Sequence, residues 1–235
     1  MTMNCSKGCP LAAKIVGIPG VRVLDAHHDG DATSGVLRVV VETDDALAGC
    51  RSCGVIATAH GRRMRVLHDV PFGHRQVRLA WRQRLWRCDE AACPVRTWSE
   101  EHDLAPPRGL LTRRAVVWAA DALAEDDTTV SALARRVGVD WHTLWRPVRR
   151  EAQRRAADPA RLDGVVALGV DEHVWRPGRF GAGRDVTCMV DLTRDAAGQV
   201  RARLLDLVPG RSGTAYRTWL DARTAAFRAG VKHAA

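Results

Sequence analysis

Lysine is scarce in this chain of 235 residues, because only three of its 36 lysine and arginine residues are lysines. The formal net charge is nevertheless +9. A guanidinium group binds phosphate in a bidentate fashion and reads guanine edges, so this basic balance favours nucleic acid over a membrane surface. An arginine-rich and alanine-rich composition also arises from a GC-rich genome. Charge alone therefore leaves the partner open.

Long apolar runs are also absent from the sequence. No stretch reaches the roughly 18 consecutive apolar residues that a transmembrane helix needs. Lys14, Pro19 and Gly20 interrupt the apolar residues near the start of the chain, so the sequence predicts no export signal. Internal repeats and low-complexity segments are lacking too. We expect a soluble, cytoplasmic protein with no membrane partner.

The seven cysteines are odd in number and lie mostly in close pairs, unlike the framework of a secreted disulfide-rich protein. Two short spacings, Cys50-x2-Cys53 and Cys88-x4-Cys93, flank a β-rich stretch that is able to fold back on itself. Four thiolates would then surround one zinc ion tetrahedrally. The alternative is a set of buried thiols without a metal. Cys5 and Cys9 form a lone pair near the terminus and are expected to be free thiols.

Two β-rich regions precede the first helical pattern. Residues 21–24 and 36–43 predict a hairpin, and a second region runs over residues 63–87. In its latter half, Val77, Leu79 and Trp81 alternate with more polar positions, which predicts a half-buried strand with one basic face. We expect the arginines of this strand to contact DNA phosphates, namely Arg78, Arg82, Arg84 and Arg87.

Helical periodicity begins after Pro106 and Pro107. The apolar positions expected to form one buried helix face are Leu110, Leu111, Val117, Trp118, Ala120, Leu123 and Ala124. Two further helices are expected at about residues 129–137 and 141–155. Gly138 permits the turn between them, so the pair has helix-turn-helix spacing.

The second helix of this pair carries the residues that would read DNA. Asp140 is placed to cap it, and Pro147 predicts a kink near residues 143–147. The residues expected near base edges are Trp141, His142, Thr143 and Arg146, and those expected at phosphates are Arg149 and Arg150. The alternative is an ordinary helical hairpin whose arginines are only solvated.

A buried apolar run, residues 165–170, ends in Asp171 and Glu172. A carboxylate on a rigid central strand suits a magnesium ligand of nucleotidyl transfer, and Asp171 fits that role. Side chains alternate along a strand, so Glu172 points away from Asp171 and is a poor substitute. The alternative is a structural aspartate at a strand end. Further strands are expected at residues 185–192 and 200–208, and a helix at 213–228.

These segments, in this order, resemble the transposases of the ISL3 family of insertion sequences. The passages that carry the resemblance begin at Cys50, Trp81, Cys93, Gly138, Leu168 and Val208. The resemblance implies a zinc finger, a helix-turn-helix and an RNase H-like domain with an Asp, Asp, Glu triad. Only Asp171 matches that triad. Asp191 and Asp206 fall on the second and third strands, so by this alignment they do not replace the missing residues.

The expected architecture is an α+β multidomain chain with a β-rich zinc-binding N-terminal module, a helical helix-turn-helix module and an incomplete RNase H-like α/β domain. The expected segments are 1–48 (β-rich), 49–104 (zinc finger), 105–158 (helix-turn-helix) and 159–235 (first part of the RNase H-like domain). We expect this last domain to be truncated.

The expected function is that of a transposase that binds duplex DNA at the terminal inverted repeats of an insertion sequence. Zinc would be structural, and magnesium would serve cleavage and strand transfer in the complete parent enzyme. The chain as given is expected to be inactive. The alternative is a non-enzymatic DNA-binding repressor derived from a transposase. Homo-oligomerisation stays open.

Overall fold

The computed structural model of the chain describes residues 16–30, 35–174, 185–200 and 202–235. Cys5 and Cys9 lie outside the described residues. Contacts divide the chain into two compact units, Met1–Arg154 and Arg155–Ala235. Among the described helices, none has the length and apolarity required to span a bilayer.

The first unit is built on a mixed five-stranded sheet. Its strands are β1 (Val21–Asp29), β2 (Val36–Thr43), β3 (Thr58–Phe72), β4 (Arg75–Arg87) and β5 (Thr97–Ser99). They run in the order β1-β2-β4-β3, and β5 pairs with the end of β4. β2 and β4 are parallel, whereas β1–β2, β3–β4 and β4–β5 are antiparallel. The expected first hairpin is present.

The alternation predicted for β4 is only partly correct. Val77, Leu79 and Trp81 are buried in the sheet core as expected, together with residues of the neighbouring strands. Ala80 and Arg84 are buried as well, although they belong to the face that was expected to be basic and exposed. Arg84 is buried because the segment after β2 and Glu100 surround its guanidinium, which donates to Thr43, Asp45 and Glu100.

Three helices follow the sheet within the first unit: α1 (Arg113–Glu125), α2 (Val130–Val137) and α3 (Trp141–Ala156). Thr112 and Thr129 cap α1 and α2 by accepting backbone N–H groups of their first turns. Gly138 ends α2 with a left-handed φ of 76°, a conformation that favours glycine. The predicted helix-turn-helix spacing is therefore realised in the structure.

The buried face of α1 agrees with the prediction in part, because Leu111 and Ala120 are buried and Trp118 and Leu123 pack against the same core. The helix buries Ala115, Ala119 and Ala122, whereas Val117 is exposed. Leu110 precedes the helix and is also exposed. A helix that begins at Arg113 places residues four and seven apart on its inner face, and small alanines there allow close packing on its neighbours.

The two expected domain boundaries that concern the first unit fall at different places relative to it. The expected boundary between residues 48 and 49 falls between strands of one sheet, and residues 16–154, as far as they are described, form one compact unit. The expected boundary after residue 158 lies a few residues beyond the division at Arg154 and Arg155.

The second unit has a smaller sheet covered by two short helices. Its elements are a 3-10 turn (Pro159–Leu162), β6 (Ala167–Val174), β7 (Asp185–Asp191), β8 (Arg203–Pro209), α4 (Gly213–Asp221), α5 (Ala225–Gly230) and β9 (His233–Ala234). The strand order is β8-β7-β6-β9, in which β9 runs parallel to β6. The core residues are Val165, Leu168, Met189, Leu205, Trp219 and Phe227.

The single helix expected over residues 213–228 is two helices. α4 ends at Asp221, and Thr224 starts α5 by accepting the backbone N–H of Phe227 at 3.1 Å. Threonine is a good N-cap residue, so a new helix start here competes with continuation of the first helix.

Candidate metal centre and nucleic-acid interface

The four paired cysteines meet at one end of the β3–β4 hairpin. Thr58 at the start of β3 pairs with Arg87 at the end of β4, which places the segments on either side of the hairpin next to each other. The Sγ atoms of Cys50, Cys53, Cys88 and Cys93 all lie within 4.8 Å of one another.

Two tight turns present these sulfurs in pairs. In the first turn, the Cys50 N–H donates to the Val55 carbonyl at 2.8 Å and the Gly54 N–H donates to the Cys50 carbonyl at 2.9 Å. Gly54 has a φ of 76° with no atom within 4 Å of a built Cβ, so the turn needs glycine for its backbone alone. In the second turn, the Cys93 N–H donates to the Glu90 carbonyl at 3.1 Å.

The spacing of the sulfurs fits a tetrahedral metal site. The Sγ–Sγ distance is 3.6 Å for Cys50 and Cys93 and 3.5 Å for Cys53 and Cys88. Zinc–sulfur bonds of about 2.3 Å place tetrahedral ligands about 3.8 Å apart. Three of the four cysteines are buried, and Cys53 is exposed. The group can therefore hold a metal ion such as zinc.

Backbone amides favour the charged form of one ligand. Those of Cys53 and Ser52 donate to Cys50 and lower the pKa of its thiol to about 6. At Cys88 an amide of Glu90 favours the thiolate, but burial and the other thiols raise its pKa to about 12. Thiols bind a metal ion in the thiolate form, so binding of a cation to this group would release their protons.

The helix-turn-helix carries the second candidate site. Asp140 caps α3 as predicted, because its Oδ1 accepts the Thr143 N–H at 2.9 Å. Leu144 and Val148 point into the helical core. On the outside, Trp141, His142, Arg146, Arg149 and Arg150 are exposed, and Thr143 is half-buried. Pro147 lies inside the helix, which is continuous from Trp141 to Ala156.

Aromatic contacts order the first turn of α3. The Trp141 ring lies 5.0 Å from the His142 ring, edge to face, and 5.7 Å from the Trp145 ring. Trp141 is still 40% exposed. A large aromatic surface is thus held at the N-terminal end of the helix, next to the basic residues.

The sheet holds the helix-turn-helix through side chains of β3 and β4. Arg78 donates to the carbonyls of Val137 and Gly138 at 3.0 and 3.2 Å. Gln76 donates to the Arg135 carbonyl at 2.9 Å. These contacts satisfy carbonyls at the C-terminal end of α2, where a helix has no internal donors. Burial, with a smaller contribution from the charge of Arg38, lowers the pKa of Arg78.

Two of the four strand arginines expected at phosphates are used inside the protein. Arg78 belongs to the helix contact just described. Arg84 is 6% exposed and donates to Thr43 and Asp45. The geometry does not support a phosphate contact for either residue, since their donors already have internal acceptors.

The other two strand arginines are exposed. Arg82 lies 3.9 Å from Glu42, and Arg87 donates to Asp89 at 2.7 Å. They are not part of one continuous basic face with Arg78 and Arg84. Sequence patterns also did not single out Arg63, Arg65 and Arg108, which line one cleft of the first unit. Arg63 and Arg65 are two apart on β3, a spacing that places strand side chains on one face and is visible in the sequence.

Asp171 lies in the second unit, exposed on β6 and opposite Cys188 of β7. Leu168 and Val170 face the core, so Asp171 lies on the opposite side of the strand. Glu172 pairs with Arg211 at 3.2 Å. Asp171 therefore has solvent access, as a metal ligand requires.

Within the described ranges, Asp171 belongs to no group of three or more side chains that could hold a metal ion. There, the cysteine quartet is the only group of three or more side chains of metal-ligating type. Asp191 accepts a hydrogen bond from Arg203 at 2.9 Å, and Asp206 accepts one from the Trp219 indole at 2.8 Å. Both aspartates, expected not to act in catalysis, are engaged in structural contacts.

Comparison with known proteins bears on the helical segment. Residues 100–152 match the family model for the helix-turn-helix domain of transposase family ISL3. The match covers α1, α2 and most of α3. No curated protein and no solved structure matches the chain. The match supports the ISL3 transposase family and a DNA-binding transposase function.

Proposed function

We propose that this chain recognises the terminal inverted repeats of an insertion sequence through α3, and that a zinc ion on the cysteine quartet stabilises the sheet behind it. One observation carries the proposal. The segment that matches the transposase helix-turn-helix presents a capped helix whose exposed arginines Arg146, Arg149 and Arg150 have no ion-pair partner among the described residues.

The helical period places the reading residues together. His142, Arg146 and Arg149 are four and three residues apart, so they share the face opposite the buried Leu144 and Val148. Arg150 lies beside them. Recognition helices contact base edges from their N-terminal half and phosphates further along. This order agrees with base contacts near His142 and phosphate contacts at Arg149 and Arg150.

We also propose an RNase H-like fold for the second unit, with Asp171 as a magnesium ligand for DNA cleavage and strand transfer. The strand order β8-β7-β6-β9, with β9 parallel to β6, supports this fold. In such chemistry two metal ions activate water or a 3′-hydroxyl for attack on a phosphodiester. Asp171 would supply one carboxylate oxygen to that metal pair.

A second candidate is a DNA-binding regulator without catalytic activity. The observation that favours it is the lone position of Asp171, since the described aspartates Asp191 and Asp206 are engaged elsewhere. Two magnesium ions repel each other and need several carboxylates to hold them.

Fluorescence anisotropy tests the binding proposal. The probes are labelled duplexes from the genomic DNA that flanks the coding sequence, compared with a random duplex of equal length. Replacing both Arg149 and Arg150 with Gln should reduce the slope of log affinity against log salt by about two units. Arg113→Gln, on α1, is a control outside the recognition helix and should leave the slope nearly unchanged. Equal affinity of the wild-type protein for all duplexes would remove sequence recognition.

A cleavage assay separates the two candidates. The chain is incubated with the preferred duplex and Mg²⁺ or Mn²⁺, next to an Asp171→Ala variant that binds the duplex equally well. Cleavage that disappears in the variant supports the enzyme. Tight, sequence-selective binding with no cleavage by either protein argues against cleavage by this chain alone, as expected when Asp171 is the single matching carboxylate.

A further inference from the structure

A cleft of about 310 Å³ lies in the first unit, and neither the recognition helix nor the four cysteines line it. β3 and β4 contribute Arg63, Arg65 and Trp81 to its wall, and Arg108 comes from the segment before α1. Arg51, from the first cysteine turn, lines it as well. The cleft therefore adjoins both the candidate zinc turn and the approach to the helix-turn-helix.

The charges around the cleft do not cancel. Arg51 pairs with Glu101 at 2.9 Å, and Glu100 accepts from Thr43 and from the backbone N–H of Arg84 at 2.7 Å each. Arg63 donates to the neutral Gln83 at 2.7 Å. Arg63, Arg65 and Arg108 have no carboxylate partner in the described part of the chain, so the cleft has an excess of positive charge.

One half-buried donor, Arg65, and one buried donor, Trp81, lie at the wall of the cleft. Arg65 donates to the carbonyls of Pro106 and Gly109 at 2.7 and 2.5 Å, and its guanidinium lies 5.6 Å from the centre of the Trp81 ring. Trp81 is fully buried, and its indole Nε1 has no hydrogen-bond partner among the described residues. A buried polar atom without a partner is rare and points to a missing acceptor.

Arg108 has an unusual backbone conformation. Its φ of 58° lies in the left-handed region, which favours glycine over arginine. Arg108, which is exposed, therefore has a backbone conformation that is disfavoured for arginine. Such outliers are common where a side chain is held for binding.

We propose that this cleft binds a backbone phosphate of the DNA duplex that the helix-turn-helix engages, outside the stretch contacted by α3. The proposal rests on the proposed function. A phosphate oxygen accepts hydrogen bonds only, and the cleft offers Arg63 and Arg108 as donors. Arg65 adds positive charge, since its Nη2 already donates to Pro106 and Gly109. The shared ligand chemistry is a phosphate group, which a free phosphate also possesses.

The test compares an Arg63→Gln, Arg108→Gln double variant with the wild-type chain, on a labelled duplex of about three helical turns, or about 30 base pairs. Arg113→Gln, outside the cleft, is the control, and circular dichroism and zinc content check that each variant folds. One lost phosphate contact should reduce the salt slope by about one unit and weaken binding about tenfold. Single methylphosphonate substitutions along the duplex should reveal one flanking position that matters to the wild type and not to the double variant.

The outcomes separate the cleft from the proposed function. The cleft proposal alone is overturned by one combination of results. In it, the Arg149→Gln, Arg150→Gln variant loses DNA binding, and the cleft variant binds DNA as well as the Arg113→Gln control does. Failure of the wild-type protein to bind any duplex overturns the proposed function. Calorimetric titration with inorganic phosphate is the last arm. Saturable phosphate binding that the cleft variant loses, without any change in duplex affinity, overturns the DNA assignment in favour of a free anion.

Discussion

Replacing Gly138 with alanine should separate the helix-turn-helix from the sheet that holds it. A Cβ at this position would lie 2.1 Å from Gln76 Oε1 and 2.7 Å from Arg78 Nη2. Both side chains have flexible ends and are able to move away. By moving they would give up the hydrogen bonds to the carbonyls of Arg135, Val137 and Gly138.

The magnitude follows from two contributions. Alanine at a φ of 76° costs about 1–2 kcal/mol because of its left-handed backbone. Loss of the Gln76 and Arg78 hydrogen bonds adds about 2 kcal/mol, since a neutral bond contributes about 0.5–1.5 kcal/mol and one from a charged donor somewhat more. We expect Gly138→Ala to lower the free energy of unfolding of the first unit by about 3–4 kcal/mol.

Gly73→Ala is the matched control in the same unit. Gly73 has a φ of 61° and no atom within 4 Å of a built Cβ, so only the backbone cost of about 1–2 kcal/mol applies. Urea unfolding followed by tryptophan fluorescence measures both variants. Equal losses of stability would refute the reasoning, because they would show that Gln76 and Arg78 contribute nothing to holding the helices.

Three further predictions concern single residues. Cys88→Ser should reduce bound zinc well below one ion per chain and broaden thermal unfolding of the first unit; elemental analysis with unchanged zinc would contradict this. Arg84→Met should destabilise the fold and leave the salt slope of DNA binding unchanged. Arg82→Met should leave the stability unchanged and reduce the salt slope, because we expect Arg82 to contact a DNA phosphate. Hydrogen bonds from Thr143 hold the pKa of Asp140 below its usual value, so its stabilisation of α3 is complete above about pH 4 and is lost as the pH falls through the lowered pKa. Asp140→Asn should therefore show a smaller difference between neutral and acid stability, and an identical pH profile would argue against the cap.

The parts of this protein that could be predicted from its sequence are those that depend on near neighbours. Cys50 and Cys53 are brought together by one tight turn, and Asp140 caps the helix that begins at the next residue. Gly138 supplies a left-handed turn residue between two helices. Each of these features is set by residues within about five positions of one another, so spacing in the sequence is sufficient to predict it.

The fate of the arginines could not be predicted in this way. Arg84 is occupied by acceptors about 40 residues earlier and by Glu100, and Arg78 is occupied by the end of α2, about 60 residues later. A basic strand pattern does not reveal which guanidinium groups find internal acceptors, because that depends on tertiary contacts. The same limit applies to the cleft around Arg65, whose acceptors belong to a segment more than 40 residues away.

We expect a zinc ion on the cysteine quartet to affect DNA binding through the hairpin formed by β3 and β4, without itself approaching DNA. The cysteines meet near Thr58, and the contact with the helix-turn-helix begins near His68, whose Nδ1 lies 3.3 Å from the Val137 carbonyl. Ten residues of strand span about 33 Å, close to one turn of the DNA double helix at about 34 Å. The cleft at Arg63 lies about halfway along this span. Zinc would hold the end of the hairpin near Thr58, whereas Arg78 fixes α3 near the other end. Removal of zinc should therefore disturb the cleft more than α3. Loss of zinc would then weaken the phosphate contacts at the cleft more than the base contacts of α3.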